Sequence, residues 1–338
     1  MGNSASSVTS IASVATLKQK FSANFRRQGL LFGLFSGITF GLYSAVIGLA
    51  QLKAPLSAST SVYAAPLVAS AINDIVAFIW LMLYNTSNGR IKEVGRSIFT
   101  FPGLMVVLGA LFGGPIANSA YLLGMAYAGP AAIPISALCP MVGALFAWVV
   151  LKQKLTKRIC VGMLICIAGA VLISYVKPTG SYPHYTLGII CSFVAAFGWG
   201  LEGGLAAFGT SMLDSNVAIN IREGVSGLAY LIIVIPLFGA LALYGQTLGT
   251  GSVMIIIIVA ALIAAVSFLT WYKANCMVGV ATGTSLNITY VLFGAIFYVI
   301  LLGSTITSAV IIGGILITIG AILVSMNPLD MFKKKEVV

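Results

Sequence analysis

A 32-residue stretch occurs twice in this chain, and the repetition constrains the fold more than any other feature. GALFAWVVLKQKLTKRICVGMLICIAGAVLIS, from Gly143 to Ser174, lies without a gap on GAIFYVILLGSTITSAVIIGGILITIGAILVS, from Gly294 to Ser325, at an offset of 151. Ten of the 32 positions are identical, among them Gly143/Gly294, Gly162/Gly313, Gly169/Gly320 and Thr156/Thr307. Apolar composition alone produces some matches between such segments. It does not easily align three glycines together with the threonine that follows each turn. The stretch reads as an internal duplication, each copy holding the last two spans of a five-helix half.

Such halves belong in a membrane. The 338 residues are 59% hydrophobic and only 7% charged, with mean hydropathy +1.07, whereas a soluble domain carries roughly a quarter charged residues. A helix needs about 20 mostly apolar residues to cross the hydrocarbon core. Ten segments qualify: 30–51, 62–84, 104–126, 129–151, 159–176, 187–209, 216–240, 253–276, 280–302 and 305–326. The expected fold class is all-α membrane: ten transmembrane helices forming two inverted five-helix repeats. The divisions fall at 1–28 (cytoplasmic polar tail), 29–178 (first repeat), 179–327 (second repeat) and 328–338 (basic cytoplasmic tail). Residues 1–28 lack an apolar core and do not read as a cleaved signal. Met1-Gly2-Asn3-Ser4-Ala5-Ser6 fits the short myristoylation pattern, which also recurs by chance.

The inversion follows from charge. Fourteen basic residues, in the N-terminal tail, the loop at Arg90–Arg96, the loop at Lys152–Arg158 and the C-terminal tail, fall on one side of a ten-span arrangement. Only Lys53 and Lys177 fall on the other. Basic loops stay in the cytoplasm, so the expectation is a multi-pass protein of the cell membrane with both termini cytoplasmic. Five spans per half is an odd number, so the halves enter from opposite sides, as in many secondary transporters. The formal charge of +11 sits in these loops and tails and does not point to nucleic acid. The five cysteines lie inside apolar runs with no metal-ligand spacing.

Ten spans, a five-plus-five duplication, and Leu151-Lys152-Gln153-Lys154-Leu155-Thr156 followed by Gly162 and Gly169 resemble the drug/metabolite transporter superfamily, in its EamA-like branch, over roughly residues 30–326. The resemblance implies a carrier of small organic metabolites with a central cavity between the halves. The family usually has Gly-Glu where this chain has Lys152-Gln153, and the second half has Gly303-Ser304.

Three acids lie inside spans: Asp74, Glu202 and Glu223. A charge at the bilayer centre costs on the order of 2.5–3.5 kcal/mol on insertion scales, so these side chains are expected to face a cavity, the bundle interior or a basic partner. Asp74 and Glu223 are related by the repeat, since Ala71–Val76 aligns on Asn220–Val225 with Ile72 on Ile221 and Val76 on Val225. Glu223 shares a helix face with Asn220 and Tyr230 at spacings of three and seven. The structural alternative pairs it with Arg222 or Lys273. Glu202 sits among glycines, one turn after Trp199. A carboxylate beside an aromatic ring is one way to hold an organic cation; plain helix packing by the glycines is the other reading.

Two spans carry further signals. Pro134 and Pro140 interrupt the fourth, where each removes a backbone donor. The corresponding ninth span is polar, with Asn287 and Tyr290. Interrupted or polar spans at matching places in two halves point to a transport site. Tyr121 and Tyr272 coincide at offset 151 and are candidates for the same wall, with interfacial placement as the alternative.

The substrate-binding candidates are therefore Glu202, Glu223, Asp74, Trp199, Asn220, Tyr230, Asn287, Tyr290, Tyr121 and Tyr272. The expected function is secondary transport of a small cationic or zwitterionic metabolite, such as an amine, quaternary ammonium compound or amino acid, by alternating access. A neutral sugar carrier of the same fold, a channel, and a membrane enzyme using the intramembrane carboxylates are the other readings. The expected partners are a small-molecule substrate and the lipid bilayer. The reading has no cofactor, metal or nucleic acid, and leaves open protons or sodium as coupling ion and a homodimer.

Overall fold

The computed structural model describes residues 3–128, 132–174, 184–303 and 307–325, with side chains from residue 23 onward except those of Ile133, Pro134 and Ser174. The described residues are helices and turns, with no strand among them. Among the described residues, eight helical stretches are long and apolar enough to cross a bilayer: Ala23–Gln51, Ala64–Ser87, Phe101–Ala128, Tyr185–Thr210, Ser215–Leu237, Gly251–Val278, Val280–Leu302 and Ser308–Ser325. The chain is thus an all-α, multi-pass membrane protein.

The first span begins earlier than its apolar run. Helix α1 is continuous over Asn3–Gln51, because no glycine or proline interrupts the sequence between Asn3 and Gln28. Then come α2 (Ala64–Ser87), the short α3 (Ile91–Ser97), α4 (Phe101–Leu111) and α5 (Ala117–Ala128). A π-helical turn, Phe112–Ile116, joins α4 to α5 and contains Pro115. The fourth apolar segment is broken into α6 (Ala132–Ser136) and α7 (Cys139–Val149). Helices α8 (Lys157–Ser174), α9 (Tyr185–Thr210) and α10 (Ser215–Ala229) follow. A second π-helical turn, Tyr230–Val234, leads from α10 into α11 (Ile235–Leu237). The chain continues with α12 (Leu241–Leu248), α13 (Gly251–Val278), α14 (Val280–Asn287), α15 (Tyr290–Leu302) and α16 (Ser308–Ser325).

The breaks in the fourth and ninth segments correspond. One falls at Ala137–Leu138 and the other at Ile288–Thr289, which coincide at the offset of 151. Proline makes the first: Pro140 lies in the first turn of α7, where its missing N–H costs nothing. The second has no proline. There Thr289 turns its hydroxyl back to the Leu286 carbonyl at 2.7 Å, a local bond that competes with the helix ladder.

Helix pairing sets where the core lies. Helix α1 packs on α13 and α15, and α9 packs on α4, α5 and α7; α2 packs on α10, and α8 on α16. Small residues allow the closest of these approaches. Across the antiparallel α8–α16 pair, Gly162 meets Gly320 and Gly169 meets Gly313, while the Cys166 thiol lies 3.6 Å from the Ile317 carbonyl. Gly41 faces Gly294 across α1 and α15, as Gly200 faces Gly143 across α9 and α7. A Cβ on Gly41 would stand 2.6 Å from the Gly294 nitrogen and 2.9 Å from the Phe293 carbonyl carbon. Backbone cannot rotate away as a side chain can. Gly41→Ala is therefore expected to lower stability by about 1–3 kcal/mol, the usual cost of overpacking. Gly245→Ala, where nothing lies within 4 Å, is the control. Unfolding in detergent, followed by helical circular dichroism, distinguishes the two.

At one end of the bundle Asp214 caps α10, accepting from the Asn216 N–H at 2.8 Å. Arg90 reaches it from the α2–α3 turn at 2.6 Å. Partial burial pushes the Asp214 carboxyl up, but the Asn216 backbone N–H and the Arg90 guanidinium outweigh that and hold it below the usual carboxylate range. A depressed acid stabilises the fold above its unfolded pKa and loses that contribution as pH falls through the folded value. Asp214→Ala is expected to cost about 1 kcal/mol, as for other N-caps. The loss should be full at neutral pH and vanish at strongly acidic pH, which unfolding at both pH values tests.

Candidate functional site

The three intramembrane acids converge on one arginine. Arg222, on α10, donates from Nε to Glu202 Oε1 at 2.8 Å and from Nη1 to Glu223 Oε1 at 3.1 Å. Its Nη1 also lies 3.6 Å from Asp74 Oδ2. The acids come from α9, α10 and α2, so one guanidinium ties three helices together. All four side chains are buried. Formally, three negative charges meet one positive charge.

The surroundings are shaped for these charges. Gly113, in the first π-helical turn, carries no side chain, and a Cβ there would overlap the Glu202 carboxylate. Gly114 makes the same room for Ser226, whose hydroxyl donates to Asp74 Oδ2 at 2.6 Å. Asn73 donates to Asp74 Oδ1 at 3.2 Å. Tyr230, in the second π-helical turn, donates to the Gly114 carbonyl at 3.1 Å and accepts from Asn118 at 2.9 Å. The two irregular turns therefore meet at the acidic cluster. An unsatisfied carbonyl in hydrocarbon is costly, so irregular backbone at membrane depth is tolerated where protein or a cavity receives it.

Beside the cluster lies a cavity of about 670 Å³. Glu202, Asp74 and Arg222 form its charged wall. Much of the rest is aromatic: Phe40, Tyr43, Tyr121, Trp199, Phe268 and Trp271 line it, with Tyr230, Tyr290 and Tyr298. The rings pack on one another, Phe40 against Tyr290 at 4.9 Å, Tyr121 against Trp199 at 5.3 Å and Phe40 against Phe268 at 5.6 Å between centroids. The Arg222 guanidinium lies 4.3 Å above the Phe268 ring. The lining extends to Gln51 at the end of α1. At the opposite end of the bundle, side chains bridge distant segments. Gln153 accepts from the Val280 N–H at 3.1 Å, Arg26 donates to the Ser325 carbonyl at 3.1 Å, and Arg158 donates to the Leu323 carbonyl.

Of the residues singled out in sequence, Glu202, Asp74, Trp199, Tyr230, Asn287, Tyr290 and Tyr121 line this cavity. Glu223, Asn220 and Tyr272 do not. Glu223 is sealed behind Arg222, with Oε2 lacking a hydrogen-bond partner among the described residues. Asn220 holds α10 to α2, donating to the Phe78 carbonyl at 3.1 Å. Tyr272 is buried behind the wall, and its neighbour Trp271 lines the cavity instead. The π-helical turn before Tyr121 accounts for that one-residue displacement. It adds a residue to α4–α5 and shifts the helix phase, whereas α13 has no such turn. Arg222, Tyr43 and Phe268 were not among the sequence candidates. Arg222 was legible only as a neighbour of Glu223, and Tyr43 and Phe268 carry no signal that separates them from core aromatics.

Fold and site together define a polytopic membrane protein with an internal cavity walled by charged and aromatic side chains. Residues 27–175 match the EamA-like transporter family. Over 266 residues it is 27% identical to Protein LicB of Haemophilus influenzae, a similarity covering 78% of this chain and 85% of that protein. A crystal structure with 18% sequence identity superposes with a TM-score of 0.66, covering 86% of this chain and 96% of the other; at that identity it speaks to the fold alone.

Proposed function

We propose that the protein is a ten-helix secondary carrier that moves a small organic cation or zwitterion by alternating access. An amine, a quaternary ammonium compound or an amino acid fits the site. One observation carries the reading: two buried carboxylates, Glu202 and Asp74, share a cavity wall with an array of aromatic rings. Carboxylates supply charge, and the ring faces supply the polarisable surface that a dispersed cation prefers. Three acids against one arginine leave the formal balance of the cluster negative. A phosphorylated substrate would want the opposite sign.

The helix pairings support an inverted repeat of five-helix halves. Exchanging α1 with α9, α4–α5 with α13, and α7 with α14–α15 maps the main pairings onto one another: α1–α13 onto α9–α4/α5, α1–α15 onto α9–α7, and α2–α13 onto α10–α4. The α2–α10 and α8–α16 pairs map onto themselves. In this reading the pseudo-two-fold axis runs between Cys166 and Ile317, which are 151 residues apart. Both termini are cytoplasmic by the excess of basic residues on that side. The cytoplasmic end is the one bridged by Gln153, Arg26 and Arg158, and the cavity wall reaches Gln51 at the far end. Transport then requires those bridges to open as the halves rock.

A neutral sugar is the weaker alternative. Two ninth-span groups on the wall that would bind hydroxyls are already engaged: Asn287 donates to Ser36 Oγ at 2.5 Å, and Thr284 accepts from Trp271 at 3.4 Å. The test is uptake by proteoliposomes containing the purified chain, with labelled amines, quaternary ammonium compounds, amino acids and sugars compared against empty vesicles. Saturable uptake of a cationic or zwitterionic compound supports the proposal. Uptake of sugars alone, or no uptake above empty vesicles, overturns it.

A further inference from the structure

Arg222 already occupies the place that a substrate cation would take. Its guanidinium lies over the Phe268 ring, bonds Glu202 and forms part of the cavity wall. Two like charges cannot share Glu202 and one aromatic cage without strong repulsion. On the side away from the cavity stands Glu223, out of a ligand's reach, with one carboxylate oxygen bonded to Arg222 and the other unpartnered among the described residues. A fully buried acceptor without a donor is uncommon, and this one lies on the residue adjacent to Arg222. Asp74, 3.6 Å from the guanidinium, offers a second acceptor on the α2 side.

We infer that Arg222 is a tethered competitor for the cation site. When a substrate cation enters, the guanidinium leaves Glu202, takes up the free oxygen of Glu223 and closes on Asp74, and Glu202 passes to the substrate. When the substrate departs, Arg222 returns. No bond is made or broken covalently and no proton moves; the cluster's formal charge is conserved in the protein throughout. The device gives Glu223 a purpose that its distance from the cavity otherwise denies it. It also keeps affinity moderate, because every bound cation must displace an internal one. This inference rests on the cation-carrier reading and adds to it a specific displaced group.

The probe is tetramethylammonium, titrated into the detergent-solubilised full chain. Two measurements are made. In the first, chain labelled with ¹⁵N-arginine reports the Arg222 Nε–H resonance, assigned by its absence from Arg222→Lys. The resonance is expected to move progressively as tetramethylammonium saturates. In the second, affinity is compared between the parent and Arg222→Gln/Glu223→Gln. That double change removes one positive and one negative charge together, so the net charge of the cluster is unaltered while the competitor is gone. Affinity should rise by about tenfold, or about 1.4 kcal/mol, with Arg222→Lys staying near the parent. An unmoved resonance at saturating ligand overturns the inference while leaving the carrier reading intact, as does a double variant that folds but binds no tighter. If no organic cation binds the parent at all, the cation-carrier reading itself fails, and the inference with it. Should the double variant not fold, the resonance alone decides.

Discussion

Arg222→Met is expected to be among the most destabilising single substitutions available in this protein, lowering stability by about 3–5 kcal/mol. The reason is what it leaves behind. Arg222 is the only basic side chain bonded to Glu202, Glu223 or Asp74 among the described residues, and removing it strands three buried carboxylates together. Breaking a buried ion pair from one side typically costs that much, because an uncompensated charge stays out of water. Methionine preserves the packing volume against Phe268, so the loss reports charge and hydrogen bonds rather than a cavity. The prediction has an internal check. Arg222→Met/Glu223→Gln should be more stable than Arg222→Met alone, although it carries one more substitution, because one stranded charge has been neutralised. Denaturant unfolding of the single and double variants in detergent measures both. Additive losses would mean that the cluster is not electrostatically coupled, contrary to the distances observed.

How much of this was visible in the amino-acid order depends on the kind of signal. The membrane-embedded, all-helical character follows directly from the apolar segments, because the requirement for about 20 apolar residues is imposed by the bilayer and not by the rest of the fold. The interruption of the fourth span was legible from its prolines, whereas the ninth span was legible only as polar and its break at Thr289 was not. The acids were conspicuous for the same reason, since few side chains are so costly in hydrocarbon. What they contact was not legible. Glu223 and Tyr272 have the same sequence credentials as Glu202 and Tyr121, yet they point away from the cavity. Helix phase decides that, and a π-helical turn changes the phase without marking the sequence strongly. Pro115 and two adjacent glycines were the available hint. Nor does Arg222 announce its role, because a guanidinium beside a carboxylate in sequence reads as a local pair. Only the approach of α2 and α9 shows that it serves three partners.

Glu202→Gln and Glu223→Gln are expected to separate in their effect on ligand binding, although both remove one carboxylate from the same cluster. Glu202 is on the cavity wall and Glu223 is sealed behind Arg222. A cation held in a desolvated site loses about 2 kcal/mol or more when its carboxylate partner becomes neutral, which is about thirtyfold in Kd. Glu202→Gln should therefore weaken tetramethylammonium binding by at least about thirtyfold. In Glu223→Gln the ligand keeps Glu202, and Arg222 keeps Asp74 and the introduced amide oxygen as acceptors to move to, so the change should stay within about fivefold. The control is built into the pair. Each variant deletes one Arg222 ion pair, at 2.8 Å and 3.1 Å respectively, so their losses of folding stability should be similar even as their affinities diverge. Thermal stabilisation by the ligand, measured over a range of concentrations, gives both quantities from one set of curves. If the two variants bind alike, the cavity wall does not distinguish the acids, and the contact that holds the cation must be sought among the aromatic rings around Phe40 and Trp271.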